Sequence, residues 1–258
     1  MRRRTSPVLL SLGGIFVVAT IAWGCYQLVS LVAHERTTSP VSFPAGVTRL
    51  QIDTDAGHIE LRGTDAATIT GERVVDRGLG EPRFSERVDG DTLVIRADCP
   101  WWTNHNCGVA YTLAVPASVA VDASSSGSGI ETAGLLGDQT LDSSGGGITV
   151  VDPAGALDVD SSGGGITVRG ARSAQVQADS SGGGVRVSFA APPSSVDVES
   201  SGGGVTIELP PGPVAYAVDA ESSGGGRRVD VKTDPDSANH IRARSSGGGV
   251  TIRYRTDL

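Results

Sequence analysis

The stretch Asp142–Val150, "DSSGGGITV", decides the fold of this chain. Three glycines behind two serines fit either a loop that cradles phosphate or a corner between two strands. A phosphate loop joins a strand to a helix and often carries a Lys at its end. Here the glycines run into Ile148-Thr149-Val150, a β-branched alternation that reads as a short strand with one buried face. No Lys follows. The corner reading holds.

Outward from this stretch the pentapeptide recurs. "SSGGG" starts at Ser143, Ser161, Ser180, Ser200, Ser222 and Ser245, and a degenerate "SSGSG" starts at Ser125. Successive starts lie 18, 18, 19, 20, 22 and 23 residues apart. The corner glycines begin at Gly145, Gly163, Gly182, Gly202, Gly224 and Gly247. An apolar–variable–apolar triplet follows the glycines, as in Ile166-Thr167-Val168, Val185-Arg186-Val187, Val205-Thr206-Ile207 and Val250-Thr251-Ile252. Another alternation precedes the serines, as in "LDVD", "VQAD", "VDVE" and "IRAR". The opposite corner contains Pro, Gly, Ala or Asp, as in "VDPAGA" and "AAPPSS".

Each unit is therefore two short strands around a Ser–Gly corner, and no unit can bury its apolar stripe alone. Stacking units about 4.8 Å apart does so and pairs every backbone group. The predicted fold is all-β, a single-stranded β-solenoid of stacked two-strand coils preceded by one N-terminal transmembrane helix. The corners call for glycine because tight bends need positive φ and close approach of stacked backbones. The serines are expected to bond neighbouring corners. Composition agrees: with 36 glycines and 4% aromatic residues, the core has to be thin and built from ladders of Val and Ile. A net charge of −8 opposes a nucleic-acid partner.

Other uses of such repeats fit less well. Calcium-binding nonapeptide rolls place Asp after the glycines, whereas here the acid precedes the serines. A threonine column at Thr149, Thr167, Thr206 and Thr251 is broken by Arg186 and Arg228, against an ice-binding face. Asp142, Asp160, Asp179, Glu199 and Glu221 each stand just before "SS". Stacking brings such charges one rung apart, which reads as a solvated acidic edge; a ladder for divalent cations is the alternative.

The N-terminus has its own physics. Arg2, Arg3 and Arg4 precede an uncharged run over residues 8–33, long enough to cross a bilayer. The expected order is a cytoplasmic tail at 1–7, a transmembrane helix at 8–33, a polar linker at 34–42 and the outward domain at 43–258. Cleavage of the segment, or acylation at Cys25, is the competing reading. Outside, Cys99 and Cys107 flank "CPWWTNHNC" and are expected to form a disulfide worth about 2–3 kcal/mol. A zinc site with His105 lacks further ligands at suitable spacing. No metal or other cofactor is expected.

"VTRLQIDTDAGHIELRG" reads as an early, diverged repeat with His58 in the corner rather than as a ligand. An insertion at about 65–116 carries a hairpin around Asp89-Gly90 and a strand in "VAYTLAVP". At the other end, Arg253 and Arg255 in "VTIRYRTDL" are expected to blunt the closing edge.

Together, "VTRLQIDTDAGHIELRG", "DGDTLVIRA", "YTLAVPASVAVDASSSGSGIET" and the serial "SSGGGITV" blocks resemble a bacterial putative-adhesin β-strand-repeat family, an extracytoplasmic domain of unknown function. The resemblance covers roughly residues 43–258, as a one-domain solenoid would. The triple glycines and the "CPWWTNHNC" loop depart from the family pattern.

The functional expectation is a non-catalytic, membrane-anchored extracytoplasmic adhesion or envelope-binding protein that binds envelope polymer, another protein or another cell. Trp101 and Trp102 are its candidate ligand contacts, with a plug over the solenoid end as the alternative. Envelope-stress sensing with a membrane partner is a second reading. A polysaccharide-acting β-helix enzyme is a third, and it lacks a distinct acid–base constellation or a G-x-S-x-G motif.

Overall fold

The computed structural model describes residues 35–78, 80–100 and 107–256, with Val17, Thr20, Ile21, Trp23 and Gly24. Apart from those five residues, the expected span at 8–33, Cys25 included, lies outside the described residues. Among the described residues no helix is long and apolar enough to cross a membrane. Residues 35–256, as described, are all-β.

Seven strands form the front: β1 (Glu35–Phe43), β2 (Arg49–Thr54), β3 (Ile59–Thr64), β4 (Ile69–Arg77), β5 (Arg83–Asp89), β6 (Thr92–Asp98) and β7 (Gly108–Pro116). The repeats then give β8 (Ala120–Ser125) and β9 (Ile130–Ala133), β10 (Gln139–Ser143) and β11 (Ile148–Val151), β12 (Leu157–Ser161) and β13 (Ile166–Ala171). After them come β14 (Gln175–Ser180) and β15 (Val185–Phe189), β16 (Ser195–Ser200) and β17 (Val205–Leu209). The last pairs are β18 (Ala217–Ser222) with β19 (Arg227–Asp230), and β20 (His240–Ser245) with β21 (Val250–Tyr254).

Each Ser–Gly corner carries the chain from one sheet to the other. Strands before the corners build a ten-stranded sheet in the order β18-β20-β16-β14-β12-β10-β8-β2-β6-β5. Strands after them build an eleven-stranded sheet, β1-β4-β7-β3-β9-β11-β13-β15-β17-β21-β19. Repeat strands pair in parallel with matched register, Asp142 beside Asp160 and Ile148 beside Ile166, so equivalent residues form columns. Inward columns such as Ile148, Ile166, Val185 and Val205 are buried, and opposite them stand Leu141, Val159, Ala178 and Val198. One buried polar pair interrupts the apolar columns: Thr132 donates its hydroxyl proton to Gln139 Oε1 at 2.7 Å.

Stack order departs from chain order at both ends. The β2–β3 rung lies between β6–β7 and β8–β9. The last rung of the chain, β20–β21, lies between β16–β17 and β18–β19. Three side chains explain the second inversion. In the inward column of the post-corner sheet, β19 places Arg227 where every other repeat has Val or Ile, so this rung suits only an end. In contrast β21 supplies Val250 and Ile252, both fully buried.

Four sequence expectations change accordingly. Arg253 and Arg255 do not close the stack, because β21 is interior; Arg253 pairs with Glu208 at 2.5 Å and Arg255 donates to the Phe189 carbonyl at 3.2 Å. The insertion at 65–116 contains a complete rung, β6–β7, alongside the expected Asp89-Gly90 hairpin. The 34–42 segment is not a linker but most of edge strand β1, antiparallel to β4. Thr37, Ser39 and Val41 turn toward the body ahead of buried Phe43, and an edge position tolerates Pro40.

The fourth change concerns the corners. None of the "SSGGG" glycines adopts a left-handed φ; the positive-φ glycines are Gly46, Gly57, Gly90, Gly134 and Gly170. Only close approach requires glycine there. A Cβ on Gly164 would stand 2.4 Å from the Gly147 nitrogen, and one on Gly165 would stand 2.8 Å from the Gly184 oxygen.

Candidate functional site

The corners form a ridge along one side of the molecule. The first serine of each corner is buried at the end of its strand, except Ser222 of the end rung, which is half-buried. Ser161 Oγ accepts the Gly164 N–H at 3.1 Å and lies 2.9 Å from the Gly146 oxygen of the preceding rung and 3.0 Å from the Gly164 oxygen. Its single proton serves one of these carbonyls at a time. The same set recurs at Ser143, Ser180, Ser200, Ser245 and Ser222. These hydroxyls hold rungs together and are not available to a ligand. The second serines and first glycines, such as Ser162 with Gly163 and Ser181 with Gly182, stand exposed.

The Cys99–Cys107 disulfide is present, with its Cα atoms 5.9 Å apart. It ties the segment after β6 to the residue before β7. Cys99 N–H donates to Asp55 Oδ2 of the neighbouring corner at 3.1 Å, and Val109 N–H donates to the Ala56 oxygen at 2.8 Å. Trp101 and Trp102 lie outside the described residues. His58 sits at the β2–β3 corner, where its carbonyl accepts the Tyr111 N–H at 3.0 Å.

Strand β5, antiparallel to β6 at the end of its sheet, brings Glu86 to Arg73 at 2.8 Å and to the Tyr111 hydroxyl at 2.9 Å. Arg73 also stacks 4.1 Å above the Phe84 ring. Burial, and then the Glu86 carboxylate, push the Tyr111 phenol far above its ordinary range. The phenol therefore stays protonated and donates. This cluster fastens the end cap.

The outer face of the pre-corner sheet carries the charge. One column runs Asp142, Asp160, Asp179, Glu199, and beside it stand Asp158 and Asp197. Burial, followed by neighbouring carboxylates, raises the pKa of both Asp160 and Asp179. Glu221, expected next in the column, is separated from Glu199 by Arg244. Arg244 meets Glu199 at 3.6 Å, Asp219 at 3.4 Å and Glu221 at 3.4 Å, while Arg242 meets Asp197 at 3.3 Å and Glu199 at 3.7 Å. The signal for this insertion was the basic "IRAR" in place of "VDVE". Among the described residues no group of three His, Cys, Asp or Glu is disposed to hold a metal ion.

The end rung leaves a cavity of about 790 Å³, lined by Tyr216, Val218, Ala220, Arg227, Val229 and Val231 among others. Arg227 donates to the Ala220 carbonyl at 3.2 Å across it. The buried Tyr216 hydroxyl has no hydrogen-bond partner among the described residues, and its pKa is raised by that burial.

No protein-family model and no curated protein matches the chain. Among solved structures it is similar to a putative adhesin from Parabacteroides merdae, at 12% identity and TM-score 0.43, over 84% of this chain and 96% of that one. A putative cell adhesion protein from Clostridium sporogenes is similar over 86% of this chain and 100% of its own, at 11% identity and TM-score 0.38. A putative adhesin from Bacteroides fragilis covers 86% and 97%, at 13% identity and TM-score 0.37.

Proposed function

We propose that the chain is a non-catalytic β-solenoid held outside the cell membrane by its N-terminal apolar segment, where it binds envelope polymer or envelope protein. The observation that carries this reading is the recurrence of the same outward groups on successive repeat rungs, the acids over β10, β12, β14 and β16 and the Ser–Gly corners throughout. The acidic columns and the Ser–Gly ridge both repeat at the strand spacing of about 4.8 Å. A surface of this kind offers many weak, equivalent contacts, and their sum favours a long or repeating partner over a single small molecule. The arginines at residues 2–4 and the uncharged run behind them support the orientation, with the N-terminus inside and the domain outside.

Full-length protein mixed with isolated envelope polymer, and separately with envelope proteins, tests the binding. Co-sedimentation with one of them is expected, and retention by neither overturns the reading. Labelling of a C-terminal cysteine tag on intact cells tests the orientation. Labelling without permeabilisation is expected; protection until the cells are opened would reverse it.

A further inference from the structure

Strand β18 ends the pre-corner sheet, and its outer edge closely copies an edge that is already occupied. Its sequence, Ala217-Val-Asp-Ala-Glu-Ser222, repeats Ser195-Val-Asp-Val-Glu-Ser200 of β16. Both strands align identically with β20: Asp197 and Asp219 against Arg242, Glu199 and Glu221 against Arg244.

Backbone directions complete the likeness. On β18, Ala217 N–H donates to the Asn239 oxygen at 2.8 Å and Ser223 N–H to the Ser245 oxygen at 2.9 Å. Successive residues alternate between edges, so the N–H and C=O groups of Val218, Ala220 and Ser222 point away from β20. Their counterparts on β16, Val196, Val198 and Ser200, face β20, as the Ser246 N–H to Ser200 oxygen bond of 2.9 Å shows. On this outward edge Tyr216 is already bridged to Thr233, its N–H donating to the Lys232 oxygen at 3.0 Å and its carbonyl accepting the Asp234 N–H at 3.0 Å, and Arg227 takes the Ala220 carbonyl, so the ladder open to a partner begins at Val218. Half-buried Val218, Val229 and Val231 line the adjoining cavity. Asp219 and Glu221 keep 58% and 66% of their side-chain surface exposed.

We propose that this edge binds an extended peptide segment of a partner protein that alternates apolar residues with arginine, by parallel strand addition. The chemistry is the one β16 already performs on β20: ladder hydrogen bonds give affinity, and carboxylates on the outer face select the arginines. Arg227 is the internal occupant that the segment displaces. The proposal does not depend on which envelope component the long faces contact.

A fluorescein-labelled peptide with the sequence of residues 239–246, Asn-His-Ile-Arg-Ala-Arg-Ser-Ser, titrated into the full-length chain, reads this by anisotropy. Saturable binding is expected, at least about tenfold weaker when both arginines of the peptide are replaced by Glu. Val218→Pro removes an outward N–H and leaves the ladder to β20 intact, so affinity falls about tenfold while the melting curve is retained. Asp219→Asn with Glu221→Gln, a second variant free of backbone change, removes most of the salt dependence. Arg227→Ala tightens binding about threefold by freeing the Ala220 carbonyl. Absence of binding overturns the proposal, as does equal affinity for the two peptides or unchanged affinity in both edge variants. Sedimentation of the chain alone covers the other occupant: a dimer abolished by Val218→Pro would assign the edge to a second copy instead.

Discussion

At the N-terminal end the stack is closed by structure, with β1, β4 and β5 antiparallel toward the ends of its sheets, a disulfide between β6 and β7, and Glu86 held by Arg73 and Tyr111. At the C-terminal end the closure is slighter: Thr233 bridges to Tyr216 at the start of β18, and beyond it Arg227 stands in the apolar column and folds over the Ala220 carbonyl. Antiparallel strands cover the edges of the β6–β7 rung and leave β1 and β5 as the sheet ends, whereas at the other end a charged side chain only discourages pairing on a repeat strand. The difference teaches that one end is built for permanence and the other for exchange. It also bears on the inverted order of the rungs. At the C-terminal end the rung with a cation in its inward column is placed outermost; at the N-terminal end the apolar β6–β7 rung is buried beneath β4 and β5.

The sharpest way to break this comparison uses two equivalent glycines. A Cβ on Gly249 would stand 2.8 Å from the Gly226 oxygen, whereas one on Gly226 meets nothing within 4 Å. Gly249→Ala is expected to cost about 3 kcal/mol and Gly226→Ala less than about 0.5 kcal/mol, measured by denaturant melts. Stacking in chain order would exchange the two values. Next in size, Cys99→Ser with Cys107→Ser should lower stability by about 2–3 kcal/mol. Reductant should reproduce that loss in the parent and not in the variant.

Arg244→Glu turns three ion pairs into repulsions and should cost about 1–2 kcal/mol, less in high salt, as read by calorimetry. The smallest effect belongs to mid-column. Asp160 and Asp179 have folded-state pKa values above the ordinary aspartate value, so their contribution is complete below that value and is lost as pH rises through the folded one. Replacing either by Asn should raise stability at neutral pH by about 0.5 kcal/mol and flatten that part of a pH–stability profile. An unchanged profile would remove the column's self-repulsion from the account.

The strands, the corners and the buried columns were legible in the sequence because a pentapeptide at near-constant spacing repeats the same local problem. The order of rungs was not, since it depends on which neighbour a strand prefers, a long-range choice that periodicity does not encode. Its traces were present nonetheless: "GGGRRVD" puts a cation at an inward position, and "IRAR" puts two where acids recur. Strand β1 gives a weak hydrophobic signal because two of its four inward residues, Thr37 and Ser39, are polar and Pro40 interrupts the run. Glycine at the corners was correctly tied to close approach and wrongly tied to turn conformation, a distinction visible only in the backbone angles. The tryptophans remain assigned by sequence alone.

The wedged position of β20–β21 has a consequence for how the molecule is completed. Residues 240–254 follow β18–β19 in the chain, yet they go behind that rung, between two acidic neighbours. Completion therefore resembles setting a keystone rather than adding a top course: until Arg242 and Arg244 arrive, four carboxylates face each other across an empty slot. A chain cut short before His240 would lack the cations that let its final rungs close, so truncation would show as a defect in the body of the protein and not merely as a shorter one.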